Sequence, residues 1–245
     1  MVIEEYPLDG ESCTLAITLY SQGENEFSLE VYDAFDDNAV FTSRTGVLKG
    51  EGTYYVMMPM CPDEAVIELD SRGDSVEIVD IYVEDLKTDF SHPLFKRQDV
   101  ISFIDFAEEF SYDAAVLPTE TSYYSDDEVY LINYLDAIKE NGEIQPTPAR
   151  ISQNDGRIEV SKADFLRYTI PMRIAILLHE FAHFYLNENM EDEVEADRNS
   201  LALYMGMGYP RIDAYNVYLD VFENAPSEEN KDRYEELHKL FNVNY

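Results

Sequence analysis

The chain has 245 residues, of which 51 are acidic and 17 basic, so its formal net charge at neutral pH is −34. Phosphate backbones and anionic lipid surfaces would repel such a chain, and we therefore expect neither nucleic acid nor a membrane among its partners. A hydrophobic fraction of 45%, with 19 Tyr and 13 Phe, is ample for a packed core and predicts a globular protein. The charge favours basic proteins or peptides as partners, although acidity spread over a surface also serves solubility.

The start of the chain and its cysteines indicate the compartment. Residues 1–5 carry neither a basic segment nor an apolar stretch, and no apolar run reaches membrane-spanning length, so we expect a cytoplasmic protein. Cys13 and Cys61 are too few for a disulfide framework, and two buried thiols are the preferred interpretation over a disulfide between them.

The first ninety residues have the pattern of β-strands. Five short segments are rich in β-branched and aromatic residues, and turns containing Gly, Asp or Pro separate them. Strands of this length and spacing are typical of a small antiparallel β-sandwich. We expect residues 1–90 to form such a sandwich, acting as a docking or interaction domain because no catalytic constellation is found there. The predicted strands are 13–20, 26–32, 53–58, 65–69 and 76–83.

A linker and a mainly helical region follow. Residues 86–97 have the composition of a linker. Apolar residues at helical spacing predict one helix beginning at 100–107 and another over 128–140, with a polar loop over 118–126 between them. The predicted fold class is therefore α+β with two domains, the second of which, 98–245, is mainly helical with a small hairpin or sheet.

The sequence HEFAH, at residues 179–183, uses two of the four histidines. His179 and His183 are four residues apart, so both imidazoles lie on one face of a helix and can bind the same metal ion. Glu180 follows the first histidine, where its carboxylate can reach a water on that ion and act as a general base. Apolar residues surround the motif, and burial would make these polar groups costly without a partner. The motif therefore predicts a metal site with zinc as the ion.

An acidic segment downstream supplies a candidate third ligand. Glu193 and Asp197 lie four residues apart in a second predicted helix, which follows a predicted turn at 187–189. Glu193 would complete the metal site, and Asp197 would accept the free N–H of His179 and fix its ring. Glu195 is the alternative third ligand, but it points to another face of the helix if Glu193 faces the metal.

The remaining helices are predicted from breakers and caps. Residues 206–210, Gly-Met-Gly-Tyr-Pro, predict the end of one helix and the start of another at Pro210. Ser227 is expected to cap the last helix, which runs to about Phe241. Three aromatic residues between these points are interpreted as the core face of a helix: Tyr215, Tyr218 and Phe222.

HExxH followed by ExxAD resembles the gluzincin metallopeptidases, closely over residues 179–197 and loosely over 148–210. The resemblance implies that Glu193 is the third zinc ligand and that Asp197 supports the first histidine. It also implies zinc-dependent hydrolysis of peptide bonds in a protein or peptide substrate, with Glu180 as general base. A regulator that cleaves one transcription factor is a special case of this hypothesis.

The segment before the motif agrees with that resemblance, and two features depart from it. A hairpin predicted over 149–160 precedes the motif helix, which is similar to the compact ImmA/IrrE-like peptidases, whose edge strand presents the substrate by β-augmentation. The interval between His183 and Glu193 is short for the superfamily. No downstream residue is an obvious oxyanion donor, and three residues are candidates by type alone: His238, Tyr209 and Arg211.

A second hypothesis belongs to another class. Residues 196–215 resemble segments of metallopeptidase-like proteins encoded by crAss-like tailed phages. The resemblance implies a structural virion component of the neck or tail assembly, in which a zincin-like domain serves mainly as scaffold. For such a phage-encoded chain, the expected compartment is the host cytoplasm and the virion. The β-domain would then dock onto neighbouring subunits of the assembly. Metal content does not separate the two hypotheses, because both proteins would bind zinc.

Overall fold

A computed structural model describes residues 1–72, 75–224 and 228–242, and the fold is α+β. Within the described residues, no helix combines the length and the apolarity that crossing a membrane requires. The chain divides into two compact units, which comprise Met1–Thr88 with Gly208–Pro210 and Asp89–Met207 with Arg211–Tyr245.

The first unit is a five-stranded antiparallel sheet. Its strands are β1 (Val2–Pro7), β2 (Cys13–Asp33), β3 (Asp36–Met58), β4 (Glu64–Ser71) and β5 (Val76–Asp85). Their hydrogen-bonded order is β1-β4-β2-β3, and β5 also pairs with β2. β3 pairs with β2 along nearly its whole length, β5 pairs with the first half of β2, and β4 pairs with the second half. β2 is therefore the central strand of the unit. The hydrogen bonds join all five strands in one antiparallel sheet, and the stacking of two sheets as a sandwich stays a prediction.

Two predicted strands, 13–20 and 26–32, form the single long strand β2. The polar residues between them were expected to turn the chain, but they form an irregularity in the ladder. There the Asn25 side-chain amide donates to Ser21 Oγ at 2.8 Å. Ser21 Oγ in turn donates to the backbone carbonyl of Gly23 at 3.0 Å, so a side chain pairs with a carbonyl inside the interrupted ladder and the strand continues through the bulge.

The core of the first unit lies around the first half of β2, where residues 13–19 are all buried. The sequence did not predict the first part of β3, residues 36–52, because polar and small residues outnumber apolar ones there. Cys13 is buried and Cys61 half-buried, and both are free thiols whose sulfur atoms lie 3.2 Å apart.

The second unit combines helices with short strands. A 3₁₀ helix, Pro93–Lys96, lies within the predicted linker. The helices are α1 (Gln98–Asp113), α2 (Lys162–Phe165), α3 (Ile170–Tyr185), α4 (Glu193–Gly206), α5 (Arg211–Asn224) and α6 (Glu228–Asn242). The strands are β6 (Thr121–Tyr124), β7 (Leu131–Leu135), β8 (Lys139–Glu140), β9 (Glu143–Ile144), β10 (Ala149–Ile151) and β11 (Ile158–Ser161).

Four of these strands form a sheet in the order β10-β11-β7-β6, so β10 is an edge strand. β11 and β7 are parallel, whereas the other neighbours are antiparallel. The predicted helix over 128–140 was wrong, because its centre is the strand β7, and the loop predicted over 118–126 contains β6. The spacing of the apolar residues at 131, 132 and 135 is compatible with both a helix and a strand. The segment forms a strand because it pairs with β6 and β11.

The hairpin before the motif helix is confirmed. Ala149 pairs with Val160 and Ile151 with Ile158, and the turn uses Gly156 with a φ of 71°, a left-handed conformation that favours glycine. α3 packs against β10. The hairpin therefore lies beside the helix that carries both histidines.

The motif helix α3 is the centre of the core of the second unit. Buried residues cover nearly its whole circumference. Phe181, between the two histidines, is fully buried and stacks on Phe103 of α1 with the ring centroids 4.0 Å apart. The apolar character that the sequence gives this helix thus fixes its rotation, and with it the face on which the histidines lie.

The end of α4 and the start of α5 confirm the break predicted at residues 206–210, since α4 ends at Gly206 and α5 begins directly after Pro210. The last helix ends at Asn242, close to its predicted end. Ser227 lies outside the described residues, as does the side chain of Phe222. Tyr218 is buried and Tyr215 half-buried.

Candidate metal centre

Three side chains from two helices converge on one point of the second unit. His179 and His183 lie one turn apart on α3, and their Nε2 atoms are 3.0 Å apart. Glu193, the first residue of α4, places Oε2 3.3 Å from the Nε2 of His179 and 3.5 Å from that of His183. One nitrogen or oxygen atom from each residue lies within 4.8 Å of the other two, so the three can hold a metal ion together.

The start of α4 decides which acidic residue joins the histidines. Asp192 caps the helix by accepting a hydrogen bond from the backbone N–H of Glu195 at 2.9 Å. The carboxylate of Glu195 turns back and accepts from the backbone N–H of Glu188 at 3.2 Å and of Asn189 at 3.4 Å. Glu195, the alternative third ligand, therefore holds the loop between the helices, and Glu193 faces the histidines.

The ring nitrogens on the far side of each histidine also have partners. His183 donates from Nδ1 to the backbone carbonyl of Met190 at 2.8 Å, which directs its Nε2 toward the site. His179 Nδ1 lies 3.0 Å from Asp197 Oδ1, although the contact lacks the alignment of a hydrogen bond. The predicted supporting residue is thus beside the first histidine, and each ring has a contact that fixes its orientation.

Arg233 of α6 is part of this centre and was missed in the sequence. Its guanidinium donates from Nε and Nη2 to the two oxygens of Asp197 at 2.9 and 2.8 Å, and its Nη1 lies 2.9 Å from Glu193 Oε2. The side chain is 7% exposed. Arg233 and Asp197 are 36 positions apart, so no helical spacing connects them in the sequence. The one available sign that Arg233 is buried was its position four residues before Leu237, on the same face of a helix that is otherwise polar.

The charges of the centre favour a cation among the histidines. Burial lowers the pKa of His179, but the carboxylates of Asp197 and Glu193 outweigh it and raise that pKa to about 10. Burial opposes ionisation of Glu193 and Asp197, but His179 and Arg233 hold the pKa of each carboxyl well below its usual range. Both carboxylates are therefore ionised, and the site attracts either a proton or a metal ion.

Glu180 lies on the cleft side of α3, next to the edge strand β10. Burial raises the pKa of its carboxyl, against the lowering effect of the two histidines and of a hydrogen bond from the backbone N–H of Ile151. The strand uses Pro148 O and Ser152 N for bonds across the hairpin, so the backbone groups of Ala149 and Ile151 point to the opposite, open edge. The open edge of β10 and the carboxylate of Glu180 therefore meet in the same cleft.

The cleft has a volume of about 490 Å³ and contains all three candidate ligands. Tyr218 lines it with a hydroxyl 3.0 Å from Ser200 Oγ, and burial raises the pKa of this phenol. The oxyanion candidates His238, Tyr209 and Arg211 are not among its lining residues. The lining residues of the cleft are Thr147, Pro148, Ala149, Arg150, Ile151, Gln153, Ile176, His179, Glu180, His183, Met190, Glu191, Glu193, Val217, Tyr218 and Arg233.

The interpretation of this centre depends on its own geometry. Comparison of the sequence with protein-family models gave no match, and comparison with curated proteins gave none either.

Proposed function

We propose that the chain is a zinc-dependent peptidase whose ligands are His179, His183 and Glu193. The distances of 3.0, 3.3 and 3.5 Å between the ligand atoms carry this proposal. Tetrahedral zinc with bonds of roughly 2.0–2.2 Å to nitrogen and oxygen places neighbouring ligand atoms about 3.3–3.6 Å apart. The three side chains thus already have nearly the spacing that zinc requires, with one position left for water.

The neighbouring carboxylate favours zinc hydrolysis over iron chemistry. Two histidines and one carboxylate also form the ligand set of Fe(II) oxygenases. Here Glu180 adds a further carboxylate directly after the first ligand, on the open side of the site. A general base at that position belongs to metal-assisted hydrolysis.

The mechanism assigns a separate task to each part of the cleft. A zinc ion would lower the pKa of a bound water toward neutrality and polarise the carbonyl of the substrate. Glu180 takes a proton from the attacking water and passes it to the leaving amine, a role that its raised pKa suits. At the open edge of β10, the backbone N–H of Ala149 and the carbonyl of Ile151 bind the substrate backbone in an extended conformation. Ile176 and Val217 form an apolar wall that contacts its side chains.

The proposal is tested with Glu180→Gln in the full-length protein. Zinc-loaded wild type should cleave peptides in a proteome-derived library analysed by mass spectrometry. Glu180→Gln should cleave at least about 100-fold more slowly, because it cannot accept the proton, while its zinc content stays the same. Glu188→Gln removes an exposed glutamate from the loop after the same helix and should leave the rate unchanged.

Two results would contradict the proposal. One is a zinc-loaded wild type that leaves the whole library intact. The other is a Glu180→Gln variant that cleaves as fast as the wild type, since then no proton passes through that carboxylate.

A further inference from the structure

Among the described side chains of the last helix, α6, two are buried in the second unit. The structure describes the side chains of residues 230–239, and only Arg233 and Leu237 among them are buried. These two residues are four positions apart and share one face of the helix. The other described side chains of α6 are exposed or half-exposed, so the buried contacts among its described side chains come from one leucine and one arginine.

The arginine attaches α6 directly to the metal centre. Its paired bonds to Asp197 and its contact with Glu193 are all shorter than 3 Å. Asp197 lies beside His179, and Glu193 is a candidate ligand. The polar attachment of the helix and the ligands of the site therefore share the same two carboxylates.

We infer that Arg233 is a positioning residue through which metal binding and docking of α6 strengthen each other. The inference rests on the metal site of the proposed function and not on peptidase activity. With α6 docked, Arg233 holds Glu193 and Asp197 in the orientation that the ion needs. With the ion bound, the carboxylates are fixed acceptors for the guanidinium, so by reciprocity the helix docks more firmly.

The positive charge of Arg233 has the opposite effect on metal affinity. A guanidinium close to the site repels a metal cation, and on that ground alone its removal would tighten metal binding. However, Arg233 and Asp197 together carry no net charge, and a buried Asp197 without the two bonds from Arg233 would admit water and lose its fixed orientation. Positioning therefore prevails, and loss of such a supporting contact typically weakens metal binding about 10- to 100-fold.

Zinc affinity, measured by competition with a chromophoric chelator, tests the inference. Arg233→Met should weaken zinc binding about 10- to 100-fold, and Arg233→Lys should be intermediate because it keeps the charge without the planar fork. Leu237→Ala should also weaken binding, since it loosens α6 without changing a charge. Lys239→Met removes an exposed cation from the same helix and should bind zinc as the wild type does.

Hydrogen exchange gives the reciprocal measurement. Zinc should slow exchange of the α6 amides in the wild type and in Lys239→Met, but not in Arg233→Met. Circular dichroism of each variant confirms that it is folded. Equal or tighter zinc binding by Arg233→Met, or wild-type affinity in Leu237→Ala, would overturn the inference. A wild type that binds no zinc would overturn the metal site as well, whereas a zinc-binding protein without peptidase activity would overturn only the proposed function.

Discussion

Asp197→Asn is the substitution whose effect on stability follows most directly from the structure. Asp197 is 2% exposed and accepts two hydrogen bonds from the guanidinium of Arg233, a residue that is 6% exposed. Asparagine has nearly the same shape, but one of the two oxygens of the side chain is replaced by an NH2 group, whose N–H donors face the donors of Arg233. The substitution thus removes one of the two bonds that Arg233 donates to residue 197 and one of the two carboxylates that face this buried cation, leaving Glu193 as its counter-charge.

The expected cost is about 3 kcal/mol, the lower end of the range for breaking one side of a buried ion pair, because asparagine keeps one acceptor. For a domain of roughly 150–250 residues, that loss lowers the melting temperature by about 6–12 °C. Urea unfolding of the metal-free protein in the presence of a chelator, followed by far-ultraviolet circular dichroism, measures it without a contribution from zinc.

A control and a double variant separate the ion pair from other effects. Asp232→Asn makes the same chemical change at an exposed position next to Arg233 and should cost less than about 0.5 kcal/mol. Adding Arg233→Met to Asp197→Asn should recover part of the loss, because the buried cation that lost one of its two carboxylates disappears. The reasoning is refuted if Asp197→Asn is no more destabilising than Asp232→Asn.

Three further predictions concern other parts of the chain. Gly156→Ala should destabilise the protein by about 2 kcal/mol in urea unfolding, because a Cβ at this positive φ would lie 2.5 Å from Tyr185 Oη and 2.8 Å from the Phe184 ring; no loss would contradict the turn geometry. Oxidised glutathione should convert the adjacent thiols of Cys13 and Cys61 into a disulfide, seen as a mass loss of about 2 Da, and two thiols that persist would contradict their proximity. Free zinc at about 100 times its dissociation constant should raise the free energy of unfolding by about 2.7 kcal/mol, and a chelator should reverse this gain. An unfolding midpoint in urea that does not change with zinc would contradict a zinc site in the folded state.

The metal centre could be predicted from sequence where helix geometry alone fixes it. His179 and His183 are placed by the period of one helix, and the apolar residues around them orient that helix toward the core. The choice of Glu193 over Glu195 needed only the same period in α4. In each case the spatial relation lies within a single element, so spacing along the chain specifies it.

Long-range relations could not be obtained in this way. Arg233 reaches Asp197 from another helix, and no pattern of spacing connects them. The segment 128–140 has apolar residues that suit a helix or a strand, and only its partners β6 and β11 decide between these. The polar interruption at residues 21–25 resembles a turn in sequence, but β3 and side-chain hydrogen bonds carry the strand through it.

Metal analysis of the purified protein tests the central claim most directly. Elemental analysis after dialysis against zinc should find zinc equimolar with the wild-type chain and almost none in His183→Ala, which lacks one of the three ligands. The account would be contradicted by a wild-type chain without bound metal, by iron in place of zinc in protein purified without added metal, or by a His183→Ala variant that retains equimolar zinc.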